Sequence, residues 1–246
     1  MNSHSPRNGA PRTVVRAMAD DPEPHIHAVL TGDFVSSEAM QRTGDQTLGD
    51  LLRAATAEAG KIFDRAGLSE VDVFRGDRWQ LLVRDPGEAL AVGLFLRAWV
   101  RAQGPSQRPY WDTRVGLGLG RVERLDEARI SESEGPAFVA SGEALDALQE
   151  GPASQRPRFG VVGAPAGLPL DLVASLVDTL VQHWTPKQAW AVIGRFSGDS
   201  HERIGRTFEP PISKQAVRKH LDRAGEQVVF RACAWFRDSL QTPRPK

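Results

Sequence analysis

The sequence predicts an α+β protein in which an antiparallel sheet domain precedes an all-helical domain. Two observations support this fold class. Up to about residue 163, short runs of β-forming residues alternate with segments whose apolar residues recur at helical spacing, whereas beyond residue 168 only helical spacing is found. With 246 residues, of which 40% are hydrophobic, the chain is long enough to bury a substantial core.

The first half of the chain contains predicted elements in the order β-α-β-β-α-β-α-β. They cover residues 25–33, 47–66, 71–74, 79–83, 85–103, 113–125, 136–149 and 156–163. Gly76 can supply the positive φ that a tight hairpin between the second and third strands needs. Asp85-Pro86 begins the second helix, because proline fits the first turn of a helix. The first six elements have the ferredoxin-like, split βαβ arrangement, in which helices are expected to cover one face of the sheet.

The second half is separated from the first by a predicted linker at residues 160–168 (GVVGAPAGL). Four amphipathic helices follow, at residues 169–184, 185–196, 200–208 and 212–240. We therefore predict a flexible leader (residues 1–24), a sheet domain (residues 25–162) and a helical domain (residues 169–240).

Composition excludes some classes of function. Lys and Arg together number 31, as do Asp and Glu, so binding to nucleic acid must come from a local patch and not from the global charge. No apolar run is long enough to span a bilayer, and the N-terminus has no apolar signal core. The single cysteine, Cys233, is expected to be a buried structural thiol. These features predict a cytoplasmic protein with no membrane partner.

Asp33 and Asp77 each follow a glycine. Asp33 ends the first predicted strand, and Asp77 lies in the predicted hairpin between the second and third strands. The βαββ order predicts that Asp33 and Asp77 face one another across neighbouring strands, where two carboxylates suit Mg²⁺ with a phosphate. A turn at Thr31-Gly32-Asp33-Phe34-Val35 could offer backbone N–H groups to that phosphate. Arg75 and Arg78 are consistent with phosphate contacts and equally with solvated turn charges. Gly-Asp pairs are also common in ordinary turns, so a purely structural role is the alternative.

Four short motifs, taken in order, resemble a known family. They are LTGDFV, FRGDRWQ, RVGLGLGRV and GPAFVASGEALDAL, and their order is that of the palm domain of class III nucleotide cyclases and their GGDEF relatives. Over residues 26–240 the chain is more similar to SatD-like proteins, which combine such a palm with a helical C-terminus. The resemblance implies a small nucleotide ligand, Mg²⁺ on Asp33 and Asp77, and palms that pair as homodimers. The predicted nucleotide-binding residues are Thr31, Gly32, Asp33, Phe34, Val35, Arg75, Gly76 and Asp77.

Departures from the family pattern predict that cyclisation has been lost. In cyclases, a helix supplies an Asn and an Arg that orient the ribose and stabilise charge on the transferring phosphate. Aligned from Gly135, these positions hold Val139 and Glu143, and a carboxylate there would repel developing negative charge. The base-reading lysine of the family is also missing from VDVF at residues 71–74. We therefore expect no cyclase activity.

Two neighbouring features have plainer interpretations. Trp79 alternates along a strand and is expected in the core and not as a platform for base stacking. Gly116, Gly118 and Gly120 do not open a helix, so they form no dinucleotide fingerprint. Alternate glycines on a strand instead predict the close approach of a helix or a partner.

Residues 185–224 have the layout of a helix-turn-helix. Thr185-Pro186 begins a first helix, Ser200 caps a short second helix, and Ser213 caps a third. In such a unit the last helix enters the major groove of double-stranded DNA. The segment also resembles the sigma-like helix-turn-helix pattern, although the turn at residues 208–212 (FEPPI) is stiffer and carries an acid.

The last helix of this unit carries residues suited to DNA. Ala216, Val217 and Leu221 have core-facing spacing. The predicted DNA-binding residues are Ser213, Lys214, Gln215, Arg218, Lys219 and Arg223. Gln can pair with adenine and Arg with guanine, Lys can contact phosphate or guanine, and Ser213 and Arg223 would position the helix on the backbone. Residues 187–231 carry an excess of about four positive charges. The alternatives are an ordinary solvated bundle face and a protein-interaction module.

The segment that follows leaves the oligomeric state open. Its apolar residues form either a homodimer stripe or a surface that packs back on residues 169–184. They are Val228, Val229, Ala232, Trp235 and Phe236. The leading hypothesis is a DNA-binding transcription regulator whose degenerate palm senses a nucleotide with Mg²⁺. An active nucleotidyl cyclase or nucleotidyltransferase and a structural adaptor are the alternatives.

Overall fold

A computed structural model describes residues 15–17, 25–35, 47–74, 76–150 and 156–241. Within these residues the strands are β1 (Val15–Ala17), β2 (His27–Val35), β3 (Asp72–Phe74), β4 (Arg78–Val83), β5 (Asp112–Gly120), β6 (Arg124–Asp126) and β7 (Phe159–Val162). The α-helices are α1 (Leu48–Ile62), α2 (Ala89–Ala102), α3 (Pro136–Ala147), α4 (Leu170–Val181), α5 (Pro186–Phe196), α6 (His201–Arg206), α7 (Lys214–Ala224) and α8 (Glu226–Gln241). The fold is α+β, as predicted.

The main sheet has five strands in the order β3-β4-β2-β5-β7. Its first four strands are antiparallel neighbours and have the ferredoxin-like order that the β-α-β-β-α-β pattern predicted. Strand β7 extends the sheet by pairing with β5 in parallel. Strand β2 is therefore central, with β4 on one side and β5 on the other. Gly76 has a φ of 86° in the β3–β4 hairpin, which confirms its predicted role.

Helices cover both faces of the main sheet, and the expectation of one covered face was wrong. Helices α1 and α2 pack on the face that carries Leu30, Trp79 and Leu117. Helix α3 packs on the opposite face, where Ala137 and Phe138 share a smaller core with strand residues. Trp79 is fully buried, as its alternation predicted.

Glycines on β5 explain how α3 reaches that face. A Cβ on Gly118 would lie 2.2 Å from the amide nitrogen of Ser141, and one on Gly116 would lie 2.4 Å from that of Leu145. Side chains at these positions would therefore hold the helix away from the strand. The prediction that these glycines permit close approach of a helix is confirmed.

Two predicted boundaries near the first half of the chain need correction. Val15–Ala17 lies in the segment predicted as a flexible leader, yet it forms β1 and pairs antiparallel with β6. The remainder of residues 1–24 lies outside the described part of the chain. The strand predicted at residues 113–125 is divided, because β5 ends at Gly120 and β6 begins at Arg124.

The C-terminal helices also differ from prediction at two points. The predicted linker begins inside β7, which extends to Val162. The helix predicted at residues 212–240 is two helices, because Gly225 adopts a left-handed conformation (φ 66°) and ends α7. Trp184, Leu221 and Phe236 are buried in the same hydrophobic core as the residues beneath the sheet, so the helices and the sheet share one continuous interior.

A buried ion network joins the two halves. The guanidinium of Arg97 on α2 contacts the carboxylates of Asp112 on β5 and Asp178 on α4, and all three side chains are almost completely buried. Arg101 and Arg158 also donate to Asp112. Burial opposes ionisation of Asp112, but these arginines outweigh it and hold its pKa well below the usual range.

Two further sequence expectations concern Cys233 and the membrane. The Cys233 thiol is buried, and burial raises its pKa to about 12. Among the helices of the described residues, none has the length and apolar character that crossing a membrane would demand.

Candidate functional site

The two predicted site aspartates lie on neighbouring parts of the sheet. Asp33 near the end of β2 has Arg78 of β4 as its cross-strand partner, and Asp77 immediately precedes Arg78. The negative charge of Asp77 is near enough to raise the pKa of Asp33. That the two carboxylates face one another remains a prediction, and Arg75 lies outside the described residues.

The carboxylate of Asp33 is held by an arginine that the sequence did not single out. Arg114 on β5 is the other cross-strand partner of Asp33. Its Nε and Nη2 each donate a 2.7 Å hydrogen bond, one to each carboxylate oxygen of Asp33. Gln149 makes a longer contact of 3.5 Å to the same carboxylate. Burial raises the pKa of Asp33, and the Arg114 guanidinium opposes that shift.

This arrangement does not fit the predicted Mg²⁺ site. A magnesium ion needs exposed carboxylate oxygens, but both oxygens of Asp33 accept from Arg114 and the side chain is buried. Arg114 thus supplies the positive charge that a metal would have supplied. Within the described part of the chain, no cluster of three or more His, Cys, Asp or Glu side chains could hold a metal ion.

The phosphate-binding turn predicted at residues 31–35 is wrong. Thr31, Gly32, Asp33, Phe34 and Val35 are all inside β2, which pairs with β5 along its whole length and with β4 as far as Asp33. Thr31, Gly32 and Asp33 thus have a partner strand on both sides, and the extended backbone of β2 lacks the convergent N–H groups of a phosphate-binding turn. Gly32 has a packing role, because a Cβ there would lie 2.3 Å from the Trp79 ring.

Thr31 belongs to a buried polar cluster beneath α3. Its hydroxyl accepts a 2.9 Å hydrogen bond from Gln80 and lies 2.7 Å from the hydroxyl of Ser141. Arg78 contacts Asp146 at 3.7 Å, also on α3. Sequence alternation places Thr31 and Gln80 on one face, but their connection through α3 depends on the strand register and could not be predicted.

The two departures from the cyclase pattern both lie at the surface. Val139 is 61% exposed, and Glu143, one helical turn further along α3, is also exposed. They line a shallow depression together with Gly135 and Gly163. A valine and a carboxylate at this position provide no positive charge for a phosphate.

The three helices predicted at residues 185–224 are present as α5, α6 and α7, and each begins at the capping residue that the sequence indicated. Thr185 and Gln188 make reciprocal hydrogen bonds that constitute a capping box at the start of α5. Ser200 caps α6 by accepting from Arg203, and Ser213 caps α7 by accepting from Ala216. Helix α7 packs against both α5 and α6.

The turn between α6 and α7 is close-packed. The amide of Ile212 donates a 3.0 Å hydrogen bond to the carbonyl of Gly205. A Cβ on Gly205 would lie 2.4 Å from the carbonyl oxygen of Ile212, so glycine is needed at this position. The indole of Trp190 donates to the hydroxyl of Thr207, which fixes the start of the turn.

The outer face of α7 presents the predicted DNA-binding residues. Val217 and Leu221 are buried and Ala216 is half-buried, so the core-facing spacing is confirmed. The predicted residues Ser213, Lys214, Gln215, Arg218, Lys219 and Arg223 are all exposed, as is Asp222, and we call the six predicted residues the α7 surface.

Several cations of this region are available for a ligand. Arg203, Arg206 and Arg218 are each paired with an acid four residues away. In the described part of the chain, by contrast, Lys187, Lys214, Lys219 and Arg223 are in no ion pair. Burial lowers the pKa of His220, and the charges of Lys187, Arg223 and Lys219 lower it further. Lys187 on α5 and Lys219 and Arg223 on α7 thus lie near enough to the same imidazole to disfavour its charged form.

The apolar residues of α8 were predicted either to form a homodimer stripe or to pack on residues 169–184, and some of them are buried while others are exposed. Val229 and Phe236 are buried, and α8 packs against α4. Val228 and Trp235 are 55% and 39% exposed. Ala232 is half-buried between these groups. The packing alternative therefore holds for the buried members, and the homodimer stays a prediction for the exposed ones.

Comparisons with known proteins give limited similarity. No protein-family model matches the chain, and no curated protein is significantly similar to it.

A bacterial light-regulated adenylyl cyclase is 13% identical, with a TM-score of 0.38, over 57% of this chain and 77% of that chain. The catalytic core of a rhodopsin-guanylyl cyclase with converted specificity, in complex with ATPαS, is 16% identical, with a TM-score of 0.36, over 48% and 70%. The non-canonical dimeric guanylyl cyclase domain of the RhoGC fusion protein from the aquatic fungus Blastocladiella emersonii is 14% identical, with a TM-score of 0.37, over 54% and 76%. These three solved structures are nucleotide cyclases, but values this low transfer neither an activity nor a ligand to this chain.

Proposed function

We propose that this protein is a DNA-binding regulator that inserts α7 into the major groove of double-stranded DNA. One observation carries the proposal: α7 buries Val217 and Leu221 against α5 and α6 and turns a row of cationic and amide side chains outward. A helix held in this way on two others is the usual geometry of a recognition helix.

The residues of the α7 surface divide by chemistry. Gln215 and Arg218 are in the first two turns, where a recognition helix meets base edges, and they suit adenine and guanine respectively. Lys214 and Lys219 suit phosphates or guanine. The Ser213 hydroxyl accepts from the Ala216 amide as an N-cap, so its own proton can be donated to a phosphate. Arg223 at the end of the helix would contact the DNA backbone.

We do not propose that the palm senses a nucleotide. Of the described residues predicted to hold a nucleotide, Thr31, Gly32, Asp33 and Phe34 are enclosed in the sheet. The carboxylate of Asp33 is already bound by Arg114. The palm then serves as the scaffold that orients α5, α6 and α7 through the shared core.

The test compares a variant that lacks two cations of α7 with a control variant that lacks two cations of α1. Duplexes enriched from a random pool by the wild-type protein would be titrated against wild type, Arg218→Ala/Lys219→Ala and Arg53→Ala/Lys61→Ala. The control pair removes the same charge from α1, where both side chains are exposed. We expect the α7 pair to weaken binding by about 10- to 100-fold and the control pair to leave it nearly unchanged.

The salt dependence gives a second readout of the same proposal. Each lost phosphate contact should reduce the slope of log affinity against log salt by about one. If the two double variants bind DNA alike, or if the wild-type protein enriches no duplex, α7 is not a recognition helix.

A further inference from the structure

A cavity of about 570 Å³ lies between the sheet domain and the C-terminal helices, away from both predicted sites. One wall comes from the end of α1 and the 3₁₀ turn at Pro86–Glu88 before α2. The other wall comes from the last residue of α5, Phe196, and from α8. Its volume is in the range of pockets that hold small organic molecules.

Three aromatic rings line the cavity, Phe63 beside the end of α1 and Phe196 and Phe230 on the opposite wall. Phe196 and Phe230 are stacked with their centroids 4.6 Å apart, and Phe63 meets Phe196 edge-on at 5.6 Å. All three aromatic residues are half-buried. The buried Cys233 also lines the cavity. Such a surface favours an apolar or aromatic ligand body.

The ionisable side chains at the rim give the cavity a net negative charge. Glu88 accepts a 3.2 Å hydrogen bond from Arg237, so these two charges offset one another. Of the other charged residues that line the cavity, Asp64 and Asp85 carry two negative charges and Arg65 carries one positive charge. The formal charge of the rim is therefore negative. Aromatic faces and carboxylates each attract a cation, and together they select one that is also apolar.

We propose that this cavity is a binding site for a small aromatic organic cation. The aromatic part would stack on Phe196 and Phe230, and the cationic group would lie near Asp64 and Asp85. The site is formed by residues from both halves of the chain, and it stands independently of whether α7 binds DNA.

The first experiment compares three probes by calorimetric titration into the full chain. Benzyltrimethylammonium has both the ring and the positive charge, tetramethylammonium has only the charge, and phenylacetate has the ring with the opposite charge. We expect the aromatic cation to bind at least about 10-fold more tightly than either of the others. Equal binding of benzyltrimethylammonium and phenylacetate, or no binding of the aromatic cation at millimolar concentration, would overturn the proposal.

Two variants and one thermal readout locate the binding. Asp64→Asn removes an exposed rim carboxylate and should weaken binding of benzyltrimethylammonium several-fold, whereas Glu127→Gln, an equal charge change at an exposed site elsewhere, should not. Because a ligand that binds only the folded chain stabilises it, the aromatic cation should also raise the melting temperature of the wild type and of Glu127→Gln more than that of Asp64→Asn. Tight binding with the same affinity and the same rise in melting temperature in Asp64→Asn would place the ligand elsewhere and reject this site.

Discussion

Arg97 on α2 donates a 2.6 Å hydrogen bond to the carboxylate of Asp178 on α4, and both side chains are almost completely buried. The same guanidinium holds Asp112 on β5. Asp178 also accepts from the backbone amide of Arg158, next to β7. One buried ionic contact thus ties the sheet domain to the first of the C-terminal helices.

Removing the negative charge of Asp178 should lower the free energy of unfolding substantially. In Asp178→Asn, Arg97 loses one of two buried anionic partners, and breaking a buried pair in this way costs about 3–5 kcal/mol. Urea unfolding of the variant should show that loss, while Asp222→Asn, at an exposed position on α7, should change the free energy of unfolding by less than about 0.5 kcal/mol. A loss below about 1 kcal/mol for Asp178→Asn would contradict the structural role of the network.

The same network should make the protein sensitive to acid. The pKa of Asp112 is depressed in the folded protein, so the unfolded chain binds a proton more readily than the folded chain does. Stability from this carboxylate is therefore complete above its ordinary pKa of 3.8 and is lost as the pH falls from there toward the lower folded value. Acid unfolding followed by circular dichroism measures this loss.

A conservative variant tests whether Asp112 is responsible. Arg158 gives Asp112 a 2.7 Å hydrogen bond and is partly exposed, so Arg158→Gln should preserve the fold while raising the pKa of Asp112. The midpoint of acid unfolding should move to higher pH in this variant and stay in place in Arg53→Gln, an exposed control. An unmoved midpoint in Arg158→Gln would mean that other carboxylates control acid unfolding.

The pairing of Asp33 with Arg114 predicts the response to magnesium. Because Arg114 binds both carboxylate oxygens, the melting temperature of the wild-type protein should be the same in millimolar Mg²⁺ and in EDTA. Arg114→Gln leaves a buried carboxylate without its cation and should lose about 2–4 kcal/mol. In that variant, Mg²⁺ should restore part of the melting temperature, whereas it should not do so in Arg84→Gln, an exposed control. A magnesium-dependent melting temperature in the wild type would refute the assignment.

The closeness of α3 to β5 can be tested with two alanines. Gly118→Ala would place a Cβ 2.2 Å from backbone atoms of α3, so the free energy of unfolding should fall by about 2 kcal/mol or more. Gly142 lies in α3 itself with nothing within 4 Å of an added Cβ, and Gly142→Ala should stabilise the protein by about 0.5–1 kcal/mol. The opposite signs of the two substitutions distinguish steric exclusion from general helix propensity.

Local sequence signals predicted much of this fold. Gly76 identified the hairpin, Ser200 and Ser213 identified two helix starts, and the alternation around Trp79 placed it in the core. Each of these signals depends on residues within a few positions of one another, and such short-range preferences are visible in a single sequence.

The features that the sequence did not predict are long-range. Arg114 looks like an ordinary polar residue of an alternating strand, and only the register between β2 and β5 brings it to Asp33, 81 positions away. The turn expected at Thr31 failed for a related reason, since a Gly-Asp pair inside a central strand has the same local signature as one in a turn. The contact between Arg97 and Asp178 is likewise long-range, and no local pattern indicates it.

The ion network also has a consequence for protein synthesis. Arg97, Arg101 and Asp112 leave the ribosome well before Asp178, which is 81 residues after Arg97. Until α4 emerges, two arginines destined for the interior face a single carboxylate, and the nascent sheet domain retains an uncompensated charge. We therefore expect the first half to complete its folding only after the second half is translated, and a chain stalled before α4 to remain exposed to chaperones and proteases.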